Sequence, residues 1–198
     1  MKNELVFISG NENKKKEFSE MIENLNCISS NVDIQEIESQ NEELVTIHKL
    51  KDIVKVNNLD SSKKYFIEDT SLQIEGVQVG TNIKHVLNSL YKYAGHRAVW
   101  YVTLATFKDN VISLYQGKVA GIITKQPFGK NGFGFDQHFI PFDMILSGEG
   151  KTLAEIDKTD KHKYSARYKA VQALKNKQPI KEVKISDIGE WNGSYQKD

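Results

Sequence analysis

Ser9-Gly10-Asn11, with Lys14 three residues further on, stands directly behind the apolar run Leu5-Val6-Phe7-Ile8. The pattern reads as a buried strand, a tight turn and the start of a helix. The first N–H groups of a helix have no partner inside it, and the dipole makes that end positive, so it favours an anion. Gly10 lets the backbone approach a ligand closely. Asn11 can cap the helix or donate a hydrogen bond, and Lys14 adds a point charge one turn in. A phosphate-binding loop uses these residue types in this order. An ordinary strand–turn–helix junction with a solvated Lys14-Lys15-Lys16 run satisfies the same short pattern.

Acidic residues form the second set. Glu68 and Asp69 follow Tyr65-Phe66-Ile67 and are expected at the carboxyl end of a short buried strand, the edge at which open α/β sheets bind ligands. Two adjacent carboxylates there need a counter-charge, which a metal ion supplies; alternatively the Asp caps a turn with Thr70 or Ser71. Glu36 and Glu38 share a face by the period of two. They either face a common metal or belong to a solvated acidic loop that continues to Glu42 and Glu43.

Basic and aromatic side chains complete the inventory. Lys49 lies beside the apolar face of a helix and either reaches a cleft or snorkels to solvent. Lys161, Lys163 and Arg167 put positive charge at the opening of the last helix, which the dipole disfavours without an anionic or polar partner. Phe133 and Phe135 sit in the glycine-rich run 128–136, where they stack on a planar base or pack on the core as a lid. His48, His85, His96, His138 and His162 lack ligand spacing and are assigned to no metal. Cys27, the lone cysteine, excludes an internal disulfide and reads as a small apolar strand residue.

These side chains need a scaffold, and the hydrophobic periodicity supplies one. Strands are expected over 5–8, 27–34 and 65–67. Helices are expected over 14–25, 42–56, 81–93 and 161–175. Ala98 to Phe107 and Val111 to Ile123 read as long strands joined by a hairpin turn at Lys108-Asp109-Asn110. Gly117 and Gly121 signal a bulge or a close backbone approach in the second of them. Helices and strands alternate and a long hairpin follows, so the fold class is α/β, with a mixed central sheet flanked by helices. One domain is expected over 1–198, with a polar tail from about residue 179 that adds an edge strand through Val183 and Ile185 or stays partly mobile.

Composition narrows the partners. Lys and Arg number 27 against 26 for Asp and Glu, a net charge of +1, which argues against binding a nucleic-acid polymer. No apolar run approaches the ~18–20 residues of a membrane span, and the N-terminus lacks a signal-peptide pattern. A reducing, cytoplasmic location without membrane attachment is the expectation.

Taken in order, the segments resemble the inosine triphosphate pyrophosphatase family, which hydrolyses non-canonical purine nucleoside triphosphates. The resemblance runs from residue 5 to about residue 175. Ser9-Gly10-Asn11…Lys14…Glu17 looks like the family's amino-terminal phosphate motif, and Glu36-Ile37-Glu38-Ser39 is similar to its acidic metal segment. The helix bearing Lys49 matches its second phosphate lysine, and Glu68-Asp69-Thr70-Ser71 its central acidic motif. Phe133-Gly134-Phe135-Asp136 resembles the base-pocket motif, and Lys161…Ser165-Ala166-Arg167 the closing helix motif.

The resemblance implies two lobes with the active cleft between them, and a homodimer that uses Mg²⁺, or Mn²⁺ in its place. It implies that Asp69 binds metal and orients or deprotonates the attacking water, with Glu36 sharing the metal. Ser9, Gly10, Asn11, Lys14, Lys49, Thr70 and Ser71 would hold the triphosphate. Phe133, Gly134 and Phe135 would border the purine, and Asp136, Lys161, Ser165 and Arg167 would read or frame its edge. Three departures stand out. Ala166 replaces the family's usual histidine, Gln137 its usual proline, and Gly76-Val77-Gln78-Val79-Gly80 lacks its usual proline. Ala166 leaves two alternatives to a purine-selective enzyme: a nucleotide-binding protein without turnover, and a pyrophosphatase with relaxed or altered base specificity.

Overall fold

The computed structural model describes residues 5–29, 34–60, 63–77 and 83–196. Strand β1 (Leu5–Ile8) leads into helix α1 (Glu12–Met21) and strand β2 (Asn26–Ile28). Helix α2 (Glu42–Asn57), strand β3 (Lys64–Ile74) and the short helix α3 (Lys84–Leu87) follow. The hairpin of β4 (Arg97–Lys108) and β5 (Val111–Ile123) comes next, then β6 (Phe139–Pro141), α4 (Phe142–Leu146), α5 (Lys158–Lys161), α6 (Ala166–Lys175) and β7 (Lys181–Lys184).

The strands form one seven-stranded sheet in the order β2-β1-β3-β4-β5-β6, with β7 also paired to β5. β1 lies parallel to both β2 and β3. β5 is long enough to take two antiparallel partners in succession, β7 along Val111–Leu114 and β6 along Gly121–Ile123. The sheet is mixed and carries helices, as the alternation of periods requires. Asp109 and Asn110 both have positive φ (51° and 62°), the geometry of a two-residue hairpin turn that suits the strand twist.

Chain contacts divide the molecule into two compact units. Unit 1 holds residues 1–69, 103–116 and 173–198; unit 2 holds 70–102 and 117–172. In unit 1 the two faces of β3 take different helices. Phe66 stacks on Phe7 at 4.7 Å, and Phe18 of α1 lies 4.6 Å from Phe7; all three rings are fully buried. Burying a side chain of this size contributes about 1.5–3 kcal/mol. Tyr65 and Ile67, one residue out of phase, instead join Ile47, Leu50 and Ile53 of α2 in a second cluster. In unit 2, Phe135 packs edge-on against both Trp100 and Phe139.

Several boundaries differ from the expectation. β3 runs on to Ile74, so Glu68 and Asp69 are mid-strand, not at its end. Thr70 and Ser71 read as turn formers, but Leu72 and Ile74 are buried and continue the alternation; the turn comes only at Gly76, whose φ is +76°. β1 does end here, since its last pairing to β3 is Phe7 with Phe66. The two carboxylates therefore lie just past the carboxyl end of the neighbouring strand. The expected helix over 161–175 is broken at Ser165, whose extended backbone starts α6 afresh and whose Oγ accepts from the Tyr168 N–H at 3.3 Å. Over 81–93 the chain forms α3 and a 3₁₀ turn at Leu90–Tyr93, separated at Ser89, while residues 81 and 82 lie outside the described residues. α1 stops at Met21, short of Leu25. β2 covers only Asn26–Ile28, and residues 30–33 lie outside the described residues. β7 is the edge strand anticipated through Val183, and Ile185 opens a 3₁₀ turn just after it.

Candidate active site

The turn behind β1 is built by hydrogen bonds internal to its own motif. The Asn11 N–H donates to Ser9 Oγ at 3.1 Å, and Asn11 Oδ1 accepts from the Lys14 N–H at 3.1 Å, so Asn11 is the cap of α1. Beyond its chain neighbours, a Cβ placed on Gly10 would meet no atom of the described residues within 4 Å. The glycine therefore leaves open space at the helix start, where further N–H groups point outward.

Period two sends Glu68 and Asp69 to opposite faces of β3. Glu68 turns to the α1 side and ion-pairs with Lys14. Asp69 turns to the α2 side, 3.6 Å from Lys49 Nζ. Lys49 also donates to Glu36 Oε1 at 2.5 Å. The two lysines reach the carboxylates from the two faces of the sheet, and they supply the counter-charge that the adjacent carboxylates need. Glu36 and Glu38 part company: Glu36 takes Lys49, while Glu38 is exposed.

Charge states follow from burial. Burial pushes the Asp69 carboxyl above the usual aspartate range; Lys49 opposes this and Glu36 adds to it. Burial alone would pull the Lys49 ammonium down, but the Asp69 and Glu36 carboxylates overrule it and hold it above the usual lysine range. Asp69 Oδ2 is buried and accepts no hydrogen bond among the described residues. An orphaned carboxylate oxygen of this kind costs free energy unless a ligand completes it.

Glu36 and Asp69 fit a hard dication, which takes oxygen donors and commonly keeps only one or two protein carboxylates beside water and phosphate. Among the described residues no group of three or more His, Cys, Asp and Glu side chains gathers as a complete metal cage. The donor set suits an ion whose remaining positions go to substrate oxygens.

Unit 2 carries the second set. Asp136 Oδ2 accepts from the Phe133 N–H at 2.9 Å and from Lys161 Nζ at 2.8 Å. A Cβ on Gly132 would lie 2.0 Å from that oxygen, and its φ is +77°, so only glycine allows the loop to close on the carboxylate. Phe133 is half-buried beneath two cations: Lys161 Nζ lies 5.7 Å and the Arg167 guanidinium 5.4 Å from its ring centre. Phe135 is buried in the aromatic cluster with Trp100 and Phe139. Gly134 has φ +66°, the left-handed backbone between them. Arg167 also donates to Thr70 Oγ1 at 3.3 Å and lies 5.8 Å over the Trp100 ring. Ser165 caps α6. Ser71 Oγ is buried without a partner among the described residues.

Ala166 is fully buried, and its carbonyl lies 2.0 Å from where a Gly117 Cβ would stand. Gly117 thus marks the close approach of α6 to β5, as Gly121 marks that of β6.

Sequence reasoning passed over Gly132, Lys51 and Trp100. Gly132 was visible only as one of a glycine-rich run. Trp100, 2 % exposed with its Nε1 unpartnered among the described residues, carried no motif signal at all.

Solved structures set the class of protein first. A HAM1 protein from Coxiella burnetii is 25% identical, with a TM-score of 0.65 over 87% of this chain and 96% of its own. The mixed sheet, with lysines and carboxylates gathered past the end of β1, is thus a Ham1-type α/β fold. The family model described as the Ham1 family matches residues 5–177, and this chain belongs to that family. A dITP/XTP pyrophosphatase of Saccharolobus solfataricus is 29% identical over 82% of this chain and 87% of its own length. An inosine triphosphate pyrophosphatase of Kluyveromyces lactis is 28% identical over 88% and 95%. The family that the motifs resemble is therefore the one to which the chain belongs.

Proposed function

We propose that this chain hydrolyses non-canonical purine nucleoside triphosphates (ITP, dITP and XTP) to the monophosphate and pyrophosphate. The observation that carries the reading is the buried Lys49–Glu36–Asp69 cluster, whose Asp69 Oδ2 lacks a partner among the described residues. The names of the relatives point the same way.

Lys14, Lys49 and the capped start of α1, with Ser9, Gly10 and Asn11, bind the phosphate oxygens and neutralise their charge. Thr70 and Ser71 add hydroxyl donors. Glu36 and Asp69 are the residues that would hold Mg²⁺ or Mn²⁺, which supplies further neutralisation of the phosphate oxygens when bound. Asp69 Oδ2 orients a water and takes its proton. The water oxygen bonds to the α-phosphorus, and the bond from that phosphorus to the bridging oxygen breaks. Pyrophosphate leaves with the bridging oxygen. No covalent intermediate is needed, since positioning and charge neutralisation supply the catalysis. In unit 2, Phe133, Gly134 and Phe135 border the base, while Asp136, Lys161, Ser165 and Arg167 frame its edge. A 6-oxo purine offers an acceptor where adenine offers an amino donor. Donors left unpaired against adenine reject it. The enzyme acts in the cytoplasm as a homodimer.

A second reading, a pyrophosphatase with relaxed base specificity, is favoured by one observation: position 166 is a buried methyl group with nothing to offer a base.

Pyrophosphate release from ITP, XTP, GTP, ATP and dTTP, with Mg²⁺ and with chelator, tests both. Metal-dependent release from ITP and XTP with little from ATP is expected. Release from all five establishes the relaxed enzyme, and nucleotide binding without release would overturn the hydrolase. Sedimentation tests the dimer.

A further inference from the structure

Residues 188–196 lie beyond the span that the family model matches, yet they grip both sides of the Lys49–Glu36 pair. On the helix side, Lys51 of α2 is 8 % exposed and its ammonium donates to three acceptors of this segment. These are Ile188 O at 3.1 Å, Gly189 O at 3.0 Å and Glu190 Oε1 at 3.1 Å. His48, buried on the same helix, packs edge-on against Trp191 at 5.8 Å. Trp191 Nε1 in turn donates to Ser194 O at 2.8 Å and closes the segment on itself. His48 and Lys51, which flank Lys49 along α2, thus both contact the tail.

On the acidic side, Tyr195 bridges antiparallel to Ile37. The Gln196 N–H donates to Glu36 O at 2.8 Å, and the Glu38 N–H donates to Ser194 O at 2.8 Å. Gln196 Nε2 adds a bond to Ile37 O at 3.3 Å. Residues 34–40 belong to no helix or strand, apart from this bridge at Ile37. Among the described residues, the hydrogen bonds to the backbone of Glu36, Ile37 and Glu38 come from Ser194 and Gln196. Without them, the carboxylate that meets Lys49 would hang on an irregular segment.

We propose that residues 188–196 are a positioning clamp for Glu36, holding its carboxylate against Lys49 for the phosphate and metal chemistry. Gln196 and Lys51 are its positioning residues, and neither touches the reacting atoms. The inference rests on the role of Glu36 given under Proposed function. Groups that orient a metal ligand typically change metal affinity by about 10–100-fold when removed.

Gln196→Pro deletes the N–H donor to Glu36 and the Nε2 bond, since proline carries neither group. Lys51→Met removes the other grip with little change in volume, which keeps the test open should the first variant fold poorly. Mn²⁺ binding without nucleotide, read by electron paramagnetic resonance, is measured for each beside kcat, KM and the melting temperature. Gln196→Pro is expected to weaken Mn²⁺ binding about tenfold and to lower kcat more than it raises KM. Lys51→Met is expected to do the same to a smaller degree. Combined with Glu36→Gln, neither should add a further loss, because they act through Glu36. Unchanged Mn²⁺ binding in both tail variants, beside a clear loss in Glu36→Gln, would overturn the clamp and leave the site reading intact. Fully additive losses would overturn it as well. A Glu36→Gln protein that binds Mn²⁺ and turns over normally would remove the role of Glu36, and the clamp with it.

Discussion

Asp69 in unit 1 and Asp136 in unit 2 are both buried carboxylates facing a lysine, but they are completed differently. Asp136 Oδ2 receives a backbone N–H and an ammonium, both within 2.9 Å. Asp69 Oδ1 stands 3.6 Å from Lys49, beyond hydrogen-bond distance, and its Oδ2 has no partner among the described residues. Lys49 lies closer to Glu36 than to Asp69. The pair around Asp136 is thus finished within the protein and shapes the loop from Gly132 to Asp136. The cluster around Asp69 is left short of donors, as a site for a cationic ligand and a water would be. A buried ion pair by itself says little about function; how fully its oxygens are satisfied says more.

The largest effect should come from Asp69→Asn, which keeps the shape and removes the charge. Pyrophosphate release is expected to fall about 10²–10³-fold. The melting temperature at neutral pH should hold or rise, because a costly buried ionisation disappears. Near-normal turnover would take Asp69 out of the chemistry. Its counterpart in unit 2 is Lys161→Met, which strands a buried carboxylate and should cost about 3–5 kcal/mol in urea unfolding. A loss below about 1 kcal/mol, the scale of an exposed pair, would show that the pair does not hold the loop.

The glycines sharpen the same contrast. Gly132→Ala drives a methyl group into the Asp136 carboxylate at a left-handed φ and should cost about 1–3 kcal/mol. Gly10→Ala meets no atom of the described residues beyond its chain neighbours, so stability should stay within about 0.5 kcal/mol. KM for ITP should nonetheless rise, because the methyl group occupies space at the phosphate loop. An unchanged KM would place the phosphates elsewhere.

The smallest effect is on stability against pH. The folded Asp69 carboxyl holds its proton more tightly than the unfolded chain does. Native stability should therefore decline as pH rises from the ordinary aspartate value through the raised one, and Asp69→Asn should lack that decline. Lys49 has the opposite linkage: its contribution is complete below the ordinary lysine value and is lost only as strongly alkaline pH passes its raised one. Melting curves from acid to neutral pH without nucleotide test the Asp69 part. Parallel curves for the two proteins would contradict it.

Much of this site was legible because it is local. The Ser9–Asn11 cap, the Lys14 spacing and the Asp109-Asn110 turn are each settled by neighbours within a few residues, where side-chain and backbone preferences act directly. The β4–β5 hairpin was legible for the same reason.

Where β3 ends was not legible. Thr70 and Ser71 suit a turn or a strand equally, and burial of Leu72 and Ile74 decided between them. The break at Ser165 was hidden because the apolar spacing runs through it. The sequence by itself determined the family motifs, the alternation of helix and strand, and which residue types could meet a phosphate. Only the tertiary structure sent Glu68 to Lys14 and Asp69 to Lys49 on opposite faces of one strand, and left Asp69 Oδ2 without a donor. It also joined Lys51 to Ile188 across 137 residues of chain. Contacts of that kind depend on burial and on distant neighbours, which no local pattern of residues encodes.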